Sequence, residues 1–272
     1  MDDRPVSDAS QSSDVEVLLT NDDGIGSPGL RALYDALSEV GEVTAVAPVA
    51  DQSAVGRSLS SEATVHGHEL GYAVEGTPSD CVVAGLDALP CDPDVVVSGC
   101  NEGANLGMYV LGRSGTVSAA VEAAFFGVPA IAVSLYVPGD DITFAEVETD
   151  TGDYAEAARA IRYLVEHALG VGVFDRADYL NVNAPAPSNG RAPLAVTRPS
   201  HAHEMTATYE DGKITLHDEV WAKMADGDVD DPPGTDRRAV VEGRVSVSPL
   251  TAPHSVEHHE ALGALAERYE SA

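Results

Sequence analysis

Two adjacent carboxylates, Asp22 and Asp23, stand in Asn21-Asp22-Asp23-Gly24, directly behind a short apolar run from Val15 to Thr20. Carboxylates this close repel each other when both are ionised, so a cation or a proton has to neutralise the pair. Hard divalent ions take oxygen ligands of this kind. The same residues also suit an Asx turn or a cap on a helix starting near Pro28, and the pair alone leaves both uses open. A second polar stretch, from Asp51 to Ser58, offers the hydroxyl of Ser53, the amide of Gln52 and the guanidinium of Arg57, each of which could equally face solvent. A third, from Ser98 to Gly107, carries Asn101, Glu102 and Asn105 among glycines and leads to Arg113-Ser114-Gly115-Thr116. Backbone amides at a helix start with hydroxyls beside them form an anion site, although Ser114 taken singly reads as an ordinary N-cap. The presence of a carboxylate pair alongside this helix start shifts the balance toward an anion site.

These residues need a scaffold, and the apolar pattern supplies one. Strand, loop and helix alternate: Val15 to Thr20, then a helix with Leu30, Leu33, Tyr34 and Leu37 on one face, and a strand at Val43 to Ala47. The cycle continues with a helix near Ser79 to Ala88, a strand at Val95 to Ser98, a helix from Ser114 to Phe126 and a strand at Ala130 to Leu135. A helix with Tyr154, Ile161, Leu164 and Val165 in phase leads to a strand at Tyr179 to Val182. Such alternation predicts an α/β fold, a mostly parallel sheet with helices on both faces and ligands at the carboxyl edge. After Pro185 apolar and polar residues alternate at Leu194 to Thr197, Met205 to Tyr209, Lys213 to Leu216 and Val245 to Ser248, which predicts hairpins. An amphipathic helix is expected from His254 to Glu270. The chain thus divides into a disordered acidic tail (1–14), an α/β core holding the site (15–185), a β-hairpin and oligomerisation region (186–253) and a C-terminal helix (254–272).

Several other chemistries are excluded. Gly24-Ile25-Gly26-Ser27-Pro28-Gly29 satisfies GxGxxG, but the second strand ends in Pro48-Val49-Ala50 without a ribose-binding acid, and Asp22-Asp23 would repel a pyrophosphate. No Walker A loop occurs, and the strand ending at Ser98-Gly99 offers no phospho-acceptor aspartate. His201, His203, His254, His258 and His259 lack HExxH spacing, and Cys81, Cys91 and Cys100 form neither a CxxC motif nor an even disulfide set, which fits a reducing cytoplasm. No run of about 18 apolar residues marks a membrane span. The net charge of -30, from 45 acidic and 15 basic residues, repels nucleic acid and anionic membranes, so neither is an expected partner. The acids are spread along the chain, which reads as surface adaptation to a very salty cytoplasm.

The motifs in their order resemble the SurE family of 5'/3'-nucleotidases, the survival-protein nucleotidases. The stretches concerned are LLTNDDGIGSPGLRAL at Leu18 to Leu33, GTPSDCV at Gly76 to Val82, and PDVVVSGCNEGANLG and RSGTVSAA between Pro93 and Ala120. FFGVPAIAVSL at Phe125 to Leu135, NVNAP at Asn181 to Pro185 and GTDRRAVVEGRVSVSPL at Gly234 to Leu250 continue it. The resemblance implies a three-layer α/β sandwich with a Rossmann-like core and a protruding β-hairpin region. It implies one divalent cation per subunit, Mg or Mn, held by Asp22, Asp23, Ser53 and Asn101, with Asp22 or Asp23 doubling as base and Asn105, Ser114, Gly115 and Thr116 lining the phosphate pocket. The implied substrates are nucleoside 5'- and 3'-monophosphates, with short polyphosphate as a further one, and the implied assembly is a homodimer or homotetramer. The second loop departs from the family pattern, with Val49-Ala50 where an Asp-Arg pair is usual and Arg57 where many relatives carry His. A nucleotide-binding module without turnover is the alternative reading, against which stands the presence of every implied ligand.

The excess of acids predicts a salt-dependent fold, because the screening length falls from about 30 Å at 0.01 M salt to about 3 Å at 1 M. The melting temperature should rise from dilute to molar potassium chloride, and a temperature indifferent to salt would remove the halophilic reading.

Overall fold

The apolar run behind the carboxylate pair is β1, Val15–Thr20, inside the nine-stranded sheet of a computed structural model that describes residues 15–138, 149–185 and 190–252. In chain order the other strands are β2 (Gly41–Pro48), β3 (Val65–His68), β4 (Gly71–Val74), β5 (Val95–Glu102), β6 (Ala130–Leu135) and β7 (Tyr179–Ala184). They are followed by β8 (Leu194–Val196), β9 (Met205–Glu210), β10 (Lys213–Asp218) and β11 (Val245–Leu250). The large sheet runs β3-β4-β2-β1-β5-β6-β7-β11-β8, and its central six strands, β4 to β7 in that order, are parallel. From β1 the chain moves outward to β2 on one side and returns through β5 on the other. The order therefore reverses between β1 and β5, and a crevice opens beyond their carboxyl ends.

Helices α1 (Pro28–Leu37) and α5 (Ala155–Ala168) cover one face of the sheet, and α2 (Pro78–Val83) and α4 (Gly115–Phe125) cover the other. Strand residues alternate between them: Val17 and Leu19 pack with Leu30, Leu33 and Ile161, whereas Leu18 packs with Val82, Val117 and Ala120. These are the three layers of the expected α/β sandwich. A short helix α3 (Met108–Leu111) lies between β5 and α4. A third apolar cluster joins Leu106 and Tyr136, just past β5 and β6, to Trp221 and Met224 of α6 (Glu219–Ala225) and Val240 of α7 (Asp236–Val241).

The structure revises several expected elements. Strand β5 continues past Ser98 to Glu102, so Asn101 lies in the strand rather than in a loop. A register shift against β6 between Ser98 and Asn101 makes this possible. At the shift Gly99 has φ 136°, and a Cβ there would stand 2.1 Å from the Val133 carbonyl oxygen. The helix expected from Ser79 to Ala88 is α2 followed by a wider π-helical turn at Ala84–Ala88. Of the four alternating segments after Pro185, only β9 and β10 form a hairpin, in a two-stranded sheet of their own. Val245–Leu250 instead enters the main sheet antiparallel to β7, with β8 beside it. Alternation reports which face of a strand is covered and says nothing of which strand lies next to it. The hairpin of β3 and β4, and helices α3, α6 and α7, were not anticipated. The acidic tail and the helix from His254 to Glu270 lie outside the described residues. Among those described, no helix is long and apolar enough to cross a membrane.

Helix α1 rests directly on β5. A Cβ on Gly29 would stand 2.1 Å from the Cys100 carbonyl oxygen and 3.0 Å from the Tyr154 ring. Gly29→Ala should therefore push α1 off the sheet at a cost of about 1–3 kcal/mol or more. A thermal melt in molar salt reads this as a lowered transition, and an unchanged one would mean that α1 moves outward freely.

Candidate active site

Asp22 and Asp23 leave the end of β1 at the reversal of strand order, and the two side chains meet different surroundings. Asp22 is 3% exposed. Its Oδ1 accepts a 2.6 Å hydrogen bond from the Thr116 hydroxyl, and the Thr116 backbone amide also favours its charged form. Thr116 lies in the first turn of α4, so this carboxylate stands at the positive end of the helix. Gly115 makes room for it: a Cβ there would sit 2.7 Å from Asp22 Oδ2. Ser114 closes the helix start by accepting from the Val117 amide at 3.0 Å.

Burial raises the Asp22 pKa despite these partners, with Asp51 adding a smaller repulsion. Asp23 is pushed up to about 8, first by burial and then by the charge of Asp22, with Asp51 and Glu102 contributing. A 3.3 Å hydrogen bond from the Glu102 amide to Asp23 Oδ2 opposes the rise. The charged groups that act most on either carboxylate are thus other acids.

The second loop is tied to the pair through a 2.7 Å hydrogen bond from the Gln52 amide to the Asp22 carbonyl. Asp51 Oδ1 accepts from the amide and hydroxyl of Ser53 at 2.7 and 2.6 Å, leaving Ser53 exposed at the rim. Asn101, at the end of β5, directs Nδ2 to the carbonyls of Glu102 and Gly103, which turns its Oδ1 away from them. Asn105 is buried, with Nδ2 donating to Ser134 Oγ at 2.8 Å. Its own backbone is clasped by β7: the Asn105 amide donates to Asn183 Oδ1 at 2.8 Å, and its carbonyl accepts from Asn181 at 2.9 Å and Asn183 at 3.2 Å.

Asp22, Ser53, Asn101, Asn105 and Ser114 line one cleft of about 260 Å³. Gly115 and Thr116 lie against Asp22, and Asp23 accepts from Glu102, which lines the cleft. The eight residues singled out in the sequence therefore converge, but Thr116 uses its hydroxyl proton on Asp22, and Ser114 uses its oxygen as a cap. Other residues of the lining were missed: Arg113, Val110, Met205, Asp218 and Trp221. Three of these come from β9, β10 and α6, in the region assigned to oligomerisation. Asn181 and Asn183 were also missed, although two asparagines two apart in a buried strand signal a built hydrogen-bond network. A separate cavity of about 270 Å³, lined by Ser200, Asp231 and Arg237, lies on the Val220–Met224 side of α6.

Among the described residues no three His, Cys, Asp or Glu side chains gather as a metal cluster. A cation near the pair would draw its remaining ligands from neutral oxygens, and the Ser53 hydroxyl and Asn101 Oδ1 are of that type. Two carboxylates with a hydroxyl and an amide oxygen suit a hard ion such as Mg or Mn, and the acids surrounding the pair favour a cation there.

Residues 17–206 match the family model described as Survival protein SurE. A protein named 5'-nucleotidase SurE from Natronomonas pharaonis is 66% identical across 94% of this chain and 100% of its own length. One of the same name from Haloarcula marismortui is 67% identical across 93% of this chain and 95% of its own. The crystal structure of the SurE protein from Aquifex aeolicus superposes with a TM-score of 0.74 at 31% identity, covering 93% of this chain and 99% of that one.

The pair also sets a pH dependence. In the metal-free fold Asp23 keeps its proton up to about pH 8, whereas the unfolded chain releases it near pH 4, so unfolding sheds a proton across that window. Stability is thus lost as pH rises through it. Melts in chelator should fall from about pH 5 to about pH 8, with Mg or Mn abolishing that fall and the Asp23→Asn substitution reducing it to the part due to Asp22. The same fall in all three samples would detach Asp23 from it.

Proposed function

We propose that this chain, which belongs to the SurE survival-protein family, is a metal-dependent phosphomonoesterase hydrolysing nucleoside 5'- and 3'-monophosphates, and short polyphosphate besides. The observation that carries this reading is the meeting of the Asp22–Asp23 pair, with Asp22 buried and Asp23 half-buried, with the start of α4 in one cleft. The 5'-nucleotidase name of a relative 66% identical supports it.

Asp22, Asp23, Ser53 and Asn101 would hold one Mg or Mn per subunit, which when bound supplies a Lewis acid and an activated water. The chain's own part is positioning. Thr116 and Gly115 fix Asp22 before substrate arrives, and one of the two carboxylates takes the proton of the attacking water. Asn105, locked by Ser134, Asn181 and Asn183, stands in the same cleft as the start of α4 to receive phosphate oxygens in a site that needs no rearrangement. The wall of Val110, Met205 and Trp221 offers the nucleoside an apolar surface.

The assembly we propose is a homodimer or homotetramer. Tyr209, Ile214 and Leu216 on the β9–β10 hairpin are 72%, 65% and 60% exposed, and an apolar hairpin of that kind favours burial against a partner.

Phosphate release from a panel of 5'- and 3'-monophosphates in molar potassium chloride, with and without Mg or Mn, tests the activity. Asp23→Asn should reduce turnover on the order of 100-fold or more while keeping the fold. Cation-independent release, or a variant as active as the parent, would overturn the reading.

A further inference from the structure

We infer that Arg113 is a substrate-binding residue that takes phosphate oxygens of the monoester through the free edge of its guanidinium. This rests on the reading of the cleft as a phosphomonoesterase site.

Arg113 immediately precedes Ser114, the cap of α4, and lines the cleft with Asp22 and Asn101. It is the single cationic side chain among the described residues of that lining. Elsewhere Arg31, Arg57, Arg159, Arg162, Arg238 and Arg244 each lie within 3.5 Å of a carboxylate, while Arg176, Arg191, Arg198 and Arg237, outside this cleft, have no ion pair among the described residues. Arg113 has no such carboxylate among the described residues, in a chain where acids outnumber bases 45 to 15. It rests instead on an aromatic face, its Cζ 3.7 Å from the Tyr109 ring centroid. Tyr109 is in turn backed by His203, stacked at 5.2 Å. A guanidinium held by its face keeps its N–H groups in plane and unused, and that fork matches two oxygens of a phosphate.

The charge balance gives this group its purpose. A divalent cation offsets the two carboxylates, Asp22 and Asp23, and no more. A phosphate monoester brings a further −1.5 to −2, roughly, at pH 7. Glu102 and Asp218, which also line the cleft, oppose it. The start of α4 returns about half a charge. Arg113 is the whole positive charge placed to receive the remainder.

The test compares the full-length, Mn-loaded protein with Arg113→Gln and Arg113→Lys in molar potassium chloride. In calorimetric titrations with inorganic phosphate, Arg113→Gln should bind about tenfold more weakly or worse, with Arg113→Lys between, since it keeps the charge and loses the fork. The KM for p-nitrophenyl phosphate, which has no base, should rise by the same factor as the KM for a nucleoside monophosphate. Unchanged phosphate affinity would overturn the assignment. So would a KM that rises for the nucleotide alone, because Arg113 would then face the base. Should Arg113→Gln melt lower than the parent, Arg113→Lys gives the comparison on an intact fold. A parent that released no phosphate, yet bound it more tightly than Arg113→Gln, would sink the proposed activity and leave this assignment standing.

Discussion

Two neighbouring carboxylates that are largely withdrawn from water, with other acids as the charges that act most on them, set the terms for the rest of this structure. Ionised carboxylates cannot be left unpaired in a poorly solvated place, so charge has to come from the backbone, from a proton or from a bound cation. The fold supplies the first of these. The carboxyl end of β1 brings Asp22 to the positive end of α4, where a hydroxyl and an amide of Thr116 meet it. The second carboxylate receives one long hydrogen bond from Glu102. This asymmetry leaves Asp23 the less satisfied of the two, and a ligand with positive charge the natural completion of the site.

The close approach of helix and strand depends on small residues at the contact points. Gly115 lets α4 reach Asp22, and Gly29 lets α1 lie on the Cys100 carbonyl. Between them the register shift in β5 presents Asn101 at the strand end, on the same rim as the pair. Asn105, in the same cleft, is anchored by a different device, the two asparagines of β7 that grip its backbone. Such polar clamps hold a loop more definitely than apolar packing does, since an unmade buried hydrogen bond is expensive. Rigid placement of oxygens and amides suits electrostatic work on a phosphoryl group.

The same acidity that surrounds the chain with negative charge opposes an anionic substrate. Molar salt screens the long-range part of that repulsion and leaves the short-range part within the cleft. On the proposed reading the balance there is local, set by a cation at the carboxylates, the start of α4 and Arg113 on its aromatic seat. Such a division would let the surface be strongly acidic while the proposed site admits phosphate.

The alternation of strand and helix signals was written plainly in the first 185 residues, because a buried parallel strand and an amphipathic helix each carry a period that local residues alone determine. The Asp22-Asp23 pair and the Ser114-Gly115-Thr116 helix start were equally legible, and the family motifs named Ser53, Asn101 and Asn105 beside them. Tertiary structure decided how these groups are used. That the Thr116 hydroxyl serves Asp22, that Asn181 and Asn183 hold Asn105, and that Arg113 stacks on Tyr109 are contacts between residues distant in sequence or turned by a helix start. It also decided that β11 enters the sheet beside β7, and that Met205, Asp218 and Trp221 wall the cleft. A residue's type and its neighbours along the chain state what bonds it can make. Which partner it meets depends on the packing of the whole chain, and no local pattern encodes that.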